Sequence, residues 1–281
     1  MKKSSKYEPT QIDLVNSLSR GLLILELLTQ RPFRLSQSKI QELTDIPKAT
    51  LYRILRTLTE LEYLRCDPES KKYSLHPKVL ILGLSILENL EVREIARPYI
   101  EKLSREFNRS VSLLMQDGAE MVFIERVKVP MLRDFNVGIG SRIPIYNTAP
   151  GKAVLANLNA EKLQEVVSLL NKKDPLAAPY LRNNYERLYN SLTEVREKGY
   201  AINDQESQKG LRGIAAPIFS PEGVVYALSI SVPPEEVSVS ELRSKYAPRL
   251  VAVSKEISGA IGHRETDVPP QILRRRSKRG A

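Results

Sequence analysis

The chain has 281 residues, a formal net charge of +10 and a pI near 9.6. That length suits about two domains, each able to bury its own core, and the basic balance favours a polyanionic partner. A single cysteine excludes an internal disulfide and fits a reducing cytoplasm, while the charged start and the lack of any ~18-residue apolar run argue against a secretion signal or a membrane span.

Residues 1–13 are polar and expected to fray. Leu18, Leu22, Leu25 and Leu28 then mark one face of a helix that Ser17 is placed to cap. Residues 36–61 read as two helices joined by a tight turn. Ser36 can accept a first-turn N–H, and Ile40 and Leu43 share a face. Asp45, Ile46 and Pro47 break the first helix, because the residue before a proline is pushed out of the α region and proline suits the start of a new helix. The second helix is expected to bury Leu51, Ile54 or Leu55, Leu58 and Leu61. Its other face carries Lys48, Thr50, Tyr52, Arg53, Arg56 and Thr57, side chains able to bond phosphates and base edges in a major groove. Plain solvation also produces a polar helix face, so this stretch alone does not decide the matter.

The next residues add weight. Residues 63–66 and 72–75 alternate around a turn rich in Asp, Pro and Ser, which is a hairpin. A basic hairpin after such a helix is a wing, and Arg65, Lys71 and Lys72 are its candidate backbone contacts. Cys66, inside the wing, reads either as a redox-sensitive thiol or as a small, half-buried side chain, and only scattered basic residues are near enough in sequence to lower its pKa. Residues 76–91 form a helix with Pro77 in its first turn, apolar over more than one face. Such a helix must be covered, either inside one subunit or by its copy in a second; two-fold symmetry suits a DNA-binding module, so the reading is a linker that dimerises, with Gly83 allowing close approach.

Beyond it, residues 92–107 are helical in pattern. Strands are expected at 110–116 and 121–127 around Asp117-Gly118, with a third at 132–137. Residues 138–152 look irregular, and helices are expected at 151–158, 160–170 and 185–198. Strands at 214–219 and 224–232 flank a turn, and a last helix runs over 240–261. Antiparallel strands with helices at one side make an α+β, sensor-like domain.

Little in that domain suggests chemistry. Gly151-Lys152 resembles a phosphate loop, but Tyr146 stands where a glycine is required and Ala153 where a hydroxyl is. The two histidines, His76 and His263, lie outside it, so no histidine-based triad or zinc site is expected. No catalytic residue, metal or cofactor is assigned. Asp204 and Glu206 are an alternative carboxylate pair for a hydrolase, against the plainer reading of a solvated loop. A binding pocket fits better. Ser229 and Ser231 point to one face of an otherwise apolar strand and need partners. The backbone of residues 210–213 offers N–H groups for an anion, and Ile143, Ile145 and Leu155 offer apolar walls.

Over residues 14–262 the chain resembles the IclR family of bacterial transcriptional regulators. The resemblance rests on residues 17–22 (SLSRGL), 46–53 (IPKATLYR), the wing KKYSL, the hinge residues 80–83 (LILG), and residues 148–153 (TAPGKA), 199–201 (GYA) and 210–217 (GLRGIAAP). It implies a winged helix-turn-helix DNA-binding domain (14–75), a linker and dimerisation helix (76–91) and a GAF-like α/β effector-binding domain (92–262), followed by a basic tail (263–281). It implies dimers, often paired into tetramers, on palindromic operators of double-stranded DNA, and small organic or aromatic acids as effectors, with Ala49 joining the DNA-facing set. The family's ligand contacts fall on Asn203, Leu211, Gly213, Ser229 and Ser231, with the 138–155 region, including Gly151, closing the pocket. The family often has an acid where Asn203 and Gln205 stand and cysteine where Gly213 stands, which makes this pocket larger and less negative. The reading is therefore a cytoplasmic, ligand-responsive repressor or activator, not an enzyme. The alternatives are a constitutive DNA-binding protein with a vestigial sensor, and the hydrolase.

Overall fold

The computed structural model describes residues 14–29, 33–130, 137–173 and 185–264, with the backbone alone at 172–173 and 185–191. The expectations for residues 1–13, for the strand at 132–137 except Val137, which is in no strand, and for the tail from 265 lie outside the described residues. The chain forms two compact units that divide between Glu88 and Asn89.

In the first unit, α1 (Asn16–Leu27), α2 (Gln37–Thr44) and α3 (Lys48–Glu60) pack around Ile24, Leu28, Ile40, Leu51 and Leu55, all at most 1% exposed. Helix α1 begins after Val15 without a side-chain cap, so Ser17 sits inside its first turn and does not cap it. Its buried side is Gly21, Ile24 and Leu28, while Leu18 and Leu22 are 62% and 51% exposed. The leucine repeat was thus real, but Ile24 enters the core while Leu18 and Leu22 remain exposed along the edge of α1 beside α3. Ser36 does cap α2, accepting from the Lys39 N–H at 3.3 Å. That helix is short, and Leu43 at its end is half exposed; Ile46, from the turn, fills the core in its place. Asp45 ends α2 in the left-handed region, at φ 53°, its N–H donating to the Gln41 carbonyl at 2.9 Å. Pro47 stands just before α3 in extended conformation, which re-aims the chain. Leu61 lies past the end of α3 and is 52% exposed, contrary to its place in the apolar stripe.

The wing is a three-stranded sheet of β1 (Leu35–Ser36), β2 (Leu64–Cys66) and β3 (Lys72–Leu75), in the order β1-β3-β2. Two-residue β1 is too short for any alternation to reveal. At the wing tip, the Ser70 hydroxyl and N–H both donate to the Asp67 carboxylate at 2.7 Å, and these bonds hold its pKa below the usual carboxylate range. A single 3₁₀ turn, Pro77–Val79, then leads into α4 (Leu80–Glu88).

In the second unit, α5 (Glu91–Phe107) precedes the hairpin β4 (Ser110–Asp117) and β5 (Glu120–Val127). There follow β6 (Arg142–Pro144), α6 (Ala149–Leu155), α7 (Ala160–Lys173), α8 (Tyr185–Lys198), β7 (Ala201–Asp204), β8 (Arg212–Phe219) and β9 (Val225–Val232). The chain then runs through α9 (Val239–Glu241), a π turn at Leu242–Tyr246 and α10 (Ala247–Ala260). The π turn has a local cause: Pro248 cannot donate to the residue four before it, and its ring crowds that carbonyl. The sheet is antiparallel throughout, in the order β6-β5-β4-β9-β8-β7. Strands β6 and β7, of three and four residues, went unassigned from sequence for the same reason as β1.

Both faces of this sheet are covered, where helices at one side were expected. Helices α5 and α10 contact β4 and β8, and Leu113, Ile214 and Ile230 are fully buried. The other parity, including Leu114, Ala215 and Ala227, belongs to a core shared with α6, α7 and α8. Strands buried on both faces carry continuous apolar runs, as these do. Helix α6 is seated tightly. Thr148 caps it by accepting the Gly151 N–H at 3.3 Å and donating to the Pro144 carbonyl at 2.7 Å. A Cβ on Gly151 would stand 1.8 Å from the Ile145 carbonyl oxygen. Backbone cannot yield that far, so Gly151→Ala is expected to destabilise the protein by about 3 kcal/mol. Urea unfolding checks it, and an unchanged midpoint would contradict the close approach.

Candidate functional site

Two sites emerge, one in each unit. On the first, α3 turns its core residues inward and leaves Lys48, Ala49, Tyr52, Arg53, Arg56 and Thr57 exposed along one side, with Thr50 half-buried beside them. Arg53 and Thr50 also border an apolar groove between α1 and α3, with Leu18, Leu22 and Leu61 among its walls. On the wing, Lys71 occupies the tip at φ 54° and Lys72 is exposed on β3. Arg65 is exposed but tied down, its Nε donating to the Ser74 hydroxyl at 3.0 Å. An exposed helix with cations at its start and middle, beside a basic wing, suits the phosphates and groove of a duplex. Cys66 is half-buried on the wing, its thiol 3.8 Å from the Asp67 carbonyl. Burial, and then the neighbouring Cys66, push the Tyr73 phenol up. Lys78 closes this unit from below: its ammonium donates to the Leu61 carbonyl at 3.0 Å and lies 5.3 Å from the Tyr63 ring centre.

The second site is a cavity of about 170 Å³ on the α6 side of the six-stranded sheet. Register explains why it is hollow. Across the sheet, Ser110 faces Ser231, Ser231 faces Gly213, and Gly213 faces Asn203. One rung along, Ser112 faces Ser229 and Ser229 faces Ala215. Residues directly opposite in antiparallel strands lie on one face, so two consecutive rungs of Ser, Gly, Ala and Asn leave space that larger side chains would fill.

Of the residues singled out from sequence, Ile143, Asn203, Leu211, Gly213, Ser229 and Ser231 line this cavity. Ile145 and Leu155 do not; they are at most 1% exposed in the core, and Gly151 is pressed against Ile145. Asn203 lines the wall with its amide already spent. Its NH2 donates to the Asn147 carbonyl at 2.6 Å and to the Ser207 hydroxyl at 2.8 Å, and its oxygen accepts the Glu206 N–H at 3.0 Å. The hydroxyls of Ser229 and Ser231, by contrast, make no hydrogen bond among the described residues. The anion nest expected at residues 210–213 is not open: the Gly210 N–H donates to the Gln205 side chain, the Leu211 N–H to the Gln208 carbonyl, and the next two residues join β8. Arg126, Lys128, Phe123, Ser110 and Gln208 line the cavity without having been singled out. Arg126 lies directly across from Ser112, a pairing set by the β4–β5 register and the irregularity at Leu113/Leu114.

The loop between β7 and β8 is pinned at both ends. Arg212 holds Asp204 at 2.7 Å and donates to the Val237 carbonyl at 2.5 Å. Lys152, whose side chain is 7% exposed, holds Glu206 at 2.6 Å. The two carboxylates proposed as a hydrolytic pair are therefore each spent on a separate cation. Lys152→Met is expected to speed amide exchange in residues 204–211 about fivefold, the equivalent of ~1 kcal/mol for one partly exposed pair, and to spare β8 and β9. Unchanged loop exchange would show that the ion pair tethers nothing.

Comparison with known proteins agrees with this geometry. The family model for the bacterial transcriptional regulator IclR C-terminal domain matches residues 84–259, and the IclR helix-turn-helix domain matches residues 17–68. The chain is 32% identical over 247 residues to the Pca regulon regulatory protein of Pseudomonas putida, covering 87% of this chain and 84% of that one. It is 30% identical to the HTH-type transcriptional regulator KdgR of Escherichia coli, covering 91% of this chain and 96% of that one. The crystal structure of an IclR family transcriptional regulator from Brucella abortus superposes with a TM-score of 0.72 at 26% identity, covering 92% of this chain and 97% of that one.

Proposed function

This chain belongs to the IclR family of bacterial transcriptional regulators, and we propose that it is a ligand-responsive member whose cavity senses a small organic acid and thereby sets the DNA affinity of its helix-turn-helix. The observation that carries the reading is the cavity itself: about 170 Å³, with two serine hydroxyls on its floor that no described protein group uses. A cavity of about 150 Å³ is known to accept benzene, so a single-ring acid is of suitable size. Small-molecule sites of this kind combine apolar walls with a few placed polar groups.

The division of labour follows the chain. Residues 14–75 bind double-stranded operator DNA, with Lys48, Ala49, Thr50, Tyr52, Arg53, Arg56 and Thr57 on the recognition helix and Arg65, Lys71 and Lys72 on the wing. Residues 76–91 link and dimerise, residues 92–262 hold the effector, and the basic tail adds a salt-sensitive attraction to DNA. Helix α4 supports the dimer: it has no buried residue, and Leu80, Ile81, Leu82, Leu84 and Ile86 are 47–65% exposed in the single chain. A second copy offers the same surface, which two-fold symmetry pairs with itself and with a palindrome; two dimers can then form a tetramer. The protein acts in the cytoplasm, where its DNA is. The ligand regulates only if it binds one arrangement of the paired DNA heads better than the other. A constitutive regulator would not need an open cavity, and the hydrolase reading loses its carboxylates to Arg212 and Lys152.

Arg53→Ala is expected to weaken operator binding by ~1–3 kcal/mol while leaving random duplex binding nearly unchanged, as for a base contact. Fluorescence anisotropy on both duplexes checks this. Equal loss on both would make Arg53 a phosphate contact, and no loss on either would remove α3 from the interface.

A further inference from the structure

Strand β5 carries part of the cavity wall on one side and a buried ion pair on the other. Leu113 of β4 lies across from Glu125, and the next residue, Leu114, lies across from Phe123, so Ile124 is an extra residue, a β-bulge. Without the bulge, Phe123 and Glu125 would share a face. With it, Phe123 joins Leu114 in lining the cavity, while Glu125 joins Leu113 on the side that α5 covers. Arg93, in the first turn of α5, grips the bulge from that side. Its Nε donates to the Ile124 carbonyl at 3.2 Å and stands 3.0 Å from Glu125 Oε2. Glu125 Oε1 accepts the Arg126 N–H at 3.0 Å. The one Nε hydrogen is turned to the carbonyl, so Oε2, buried and without an aligned hydrogen bond, is held to Arg93 by charge.

Local helix stability does not account for Arg93, because a cation in the first turn opposes the helix dipole. Nor is that turn firmly continuous with the rest of α5. Pro98 stands inside the helix. It has no N–H to give the Glu94 carbonyl, and its ring crowds that oxygen. The first turn is thus bonded sideways to the bulge and joined to its own helix by one hydrogen bond fewer. In the other direction along the chain, only Asn89 and Leu90 separate it from α4. Resting on the effector reading above, we propose that Arg93 is the positioning residue that carries the state of the cavity to the linker. A ligand against Phe123 shifts the bulge, Ile124 and Glu125 take Arg93 with them, and the first turn of α5 tilts at Pro98. The route is one unbroken run of contacts, from the cavity wall through a single strand to the residues that follow α4.

Filling the cavity from within tests this in the full-length protein. Ser229→Leu places a larger apolar side chain on the floor, and fluorescence anisotropy reads affinity for the duplex that wild type selects from a random pool. The substitution is expected to change that affinity about fivefold or more, the low end of usual allosteric coupling. In Arg93→Gln, and equally in Glu125→Gln, the same substitution is expected to change it by less than about twofold, the scatter of independent sites. Arg93→Lys, which keeps the charge beside Glu125, should restore part of the response. Amide exchange gives the local readout: Ser229→Leu alters exchange in residues 91–96 when Arg93 is present and not in Arg93→Gln. Thermal midpoints show that each variant is folded, and Ser231→Leu takes the place of Ser229→Leu if that one is not. A contact that only stabilises the fold lowers the midpoint and leaves the response intact. A full response in Arg93→Gln, or exchange changes that stop at β5, therefore overturns the role of Arg93 and leaves the effector reading standing. No response to either leucine with Arg93 present overturns the effector reading and the proposal with it.

Discussion

The C-terminal unit depends on one constraint: a sheet buried on both faces, with side chains too small to fill one of them. On the α5 and α10 side, Leu113, Ile214, Leu228 and Ile230 are fully buried and make an ordinary core. On the other side the central strands carry Ser, Gly and Ala on consecutive rungs. Helix α6 cannot move in to close the gap, because Gly151 already rests against the Ile145 backbone. The space is thus held open by tight packing beside it. Hydroxyls placed at the floor of such a space face a cost if they remain unbonded, and a ligand with matching oxygens removes it.

Similar economy shapes the DNA-binding unit. Its core is small, built from Ile24, Leu28, Ile40, Leu51, Leu55 and Leu64. The left-handed Asp45 and extended Pro47 set the angle between α2 and α3, and so decide which side of α3 remains open. Lys78 then ties the chain after the wing to the carbonyl end of α3, where a cation also suits the helix dipole. The 3₁₀ turn that leads into α4 is thereby bonded to the end of α3.

Much of this was legible in the sequence, and the failures have physical causes. The helix pair, the wing and the β4–β5 hairpin follow from periodicity and turn residues, which are local. Periodicity does not say what covers an apolar face. Leu18, Leu22, Leu43 and Leu61 were read as core and are half exposed or more, because the helices that bury Ile24 and Ile40 lie on a neighbouring angle. Strands β1, β6 and β7 are too short to alternate. For the cavity, the serines of β9 were readable because a hydroxyl is unusual in an apolar strand, and Gly213 and Leu211 followed from the family resemblance. Arg126 was not legible, because its place on the same sheet face as Ser229 depends on β4 lying between β5 and β9. That strand order is a long-range fact, as are the ion pairs that occupy Asp204 and Glu206.

The most direct test of the regulatory reading is selection of bound duplexes from a random DNA pool by the full-length protein. Roughly 150 mM salt is suitable, since non-specific phosphate binding fades there. A two-fold regulator with an exposed recognition helix on each protomer recovers a palindrome, and a ligand for the cavity changes the yield of that palindrome without changing its sequence. Recovery of an asymmetric site, or of no common sequence with and without ligand, would contradict a symmetric, ligand-responsive regulator.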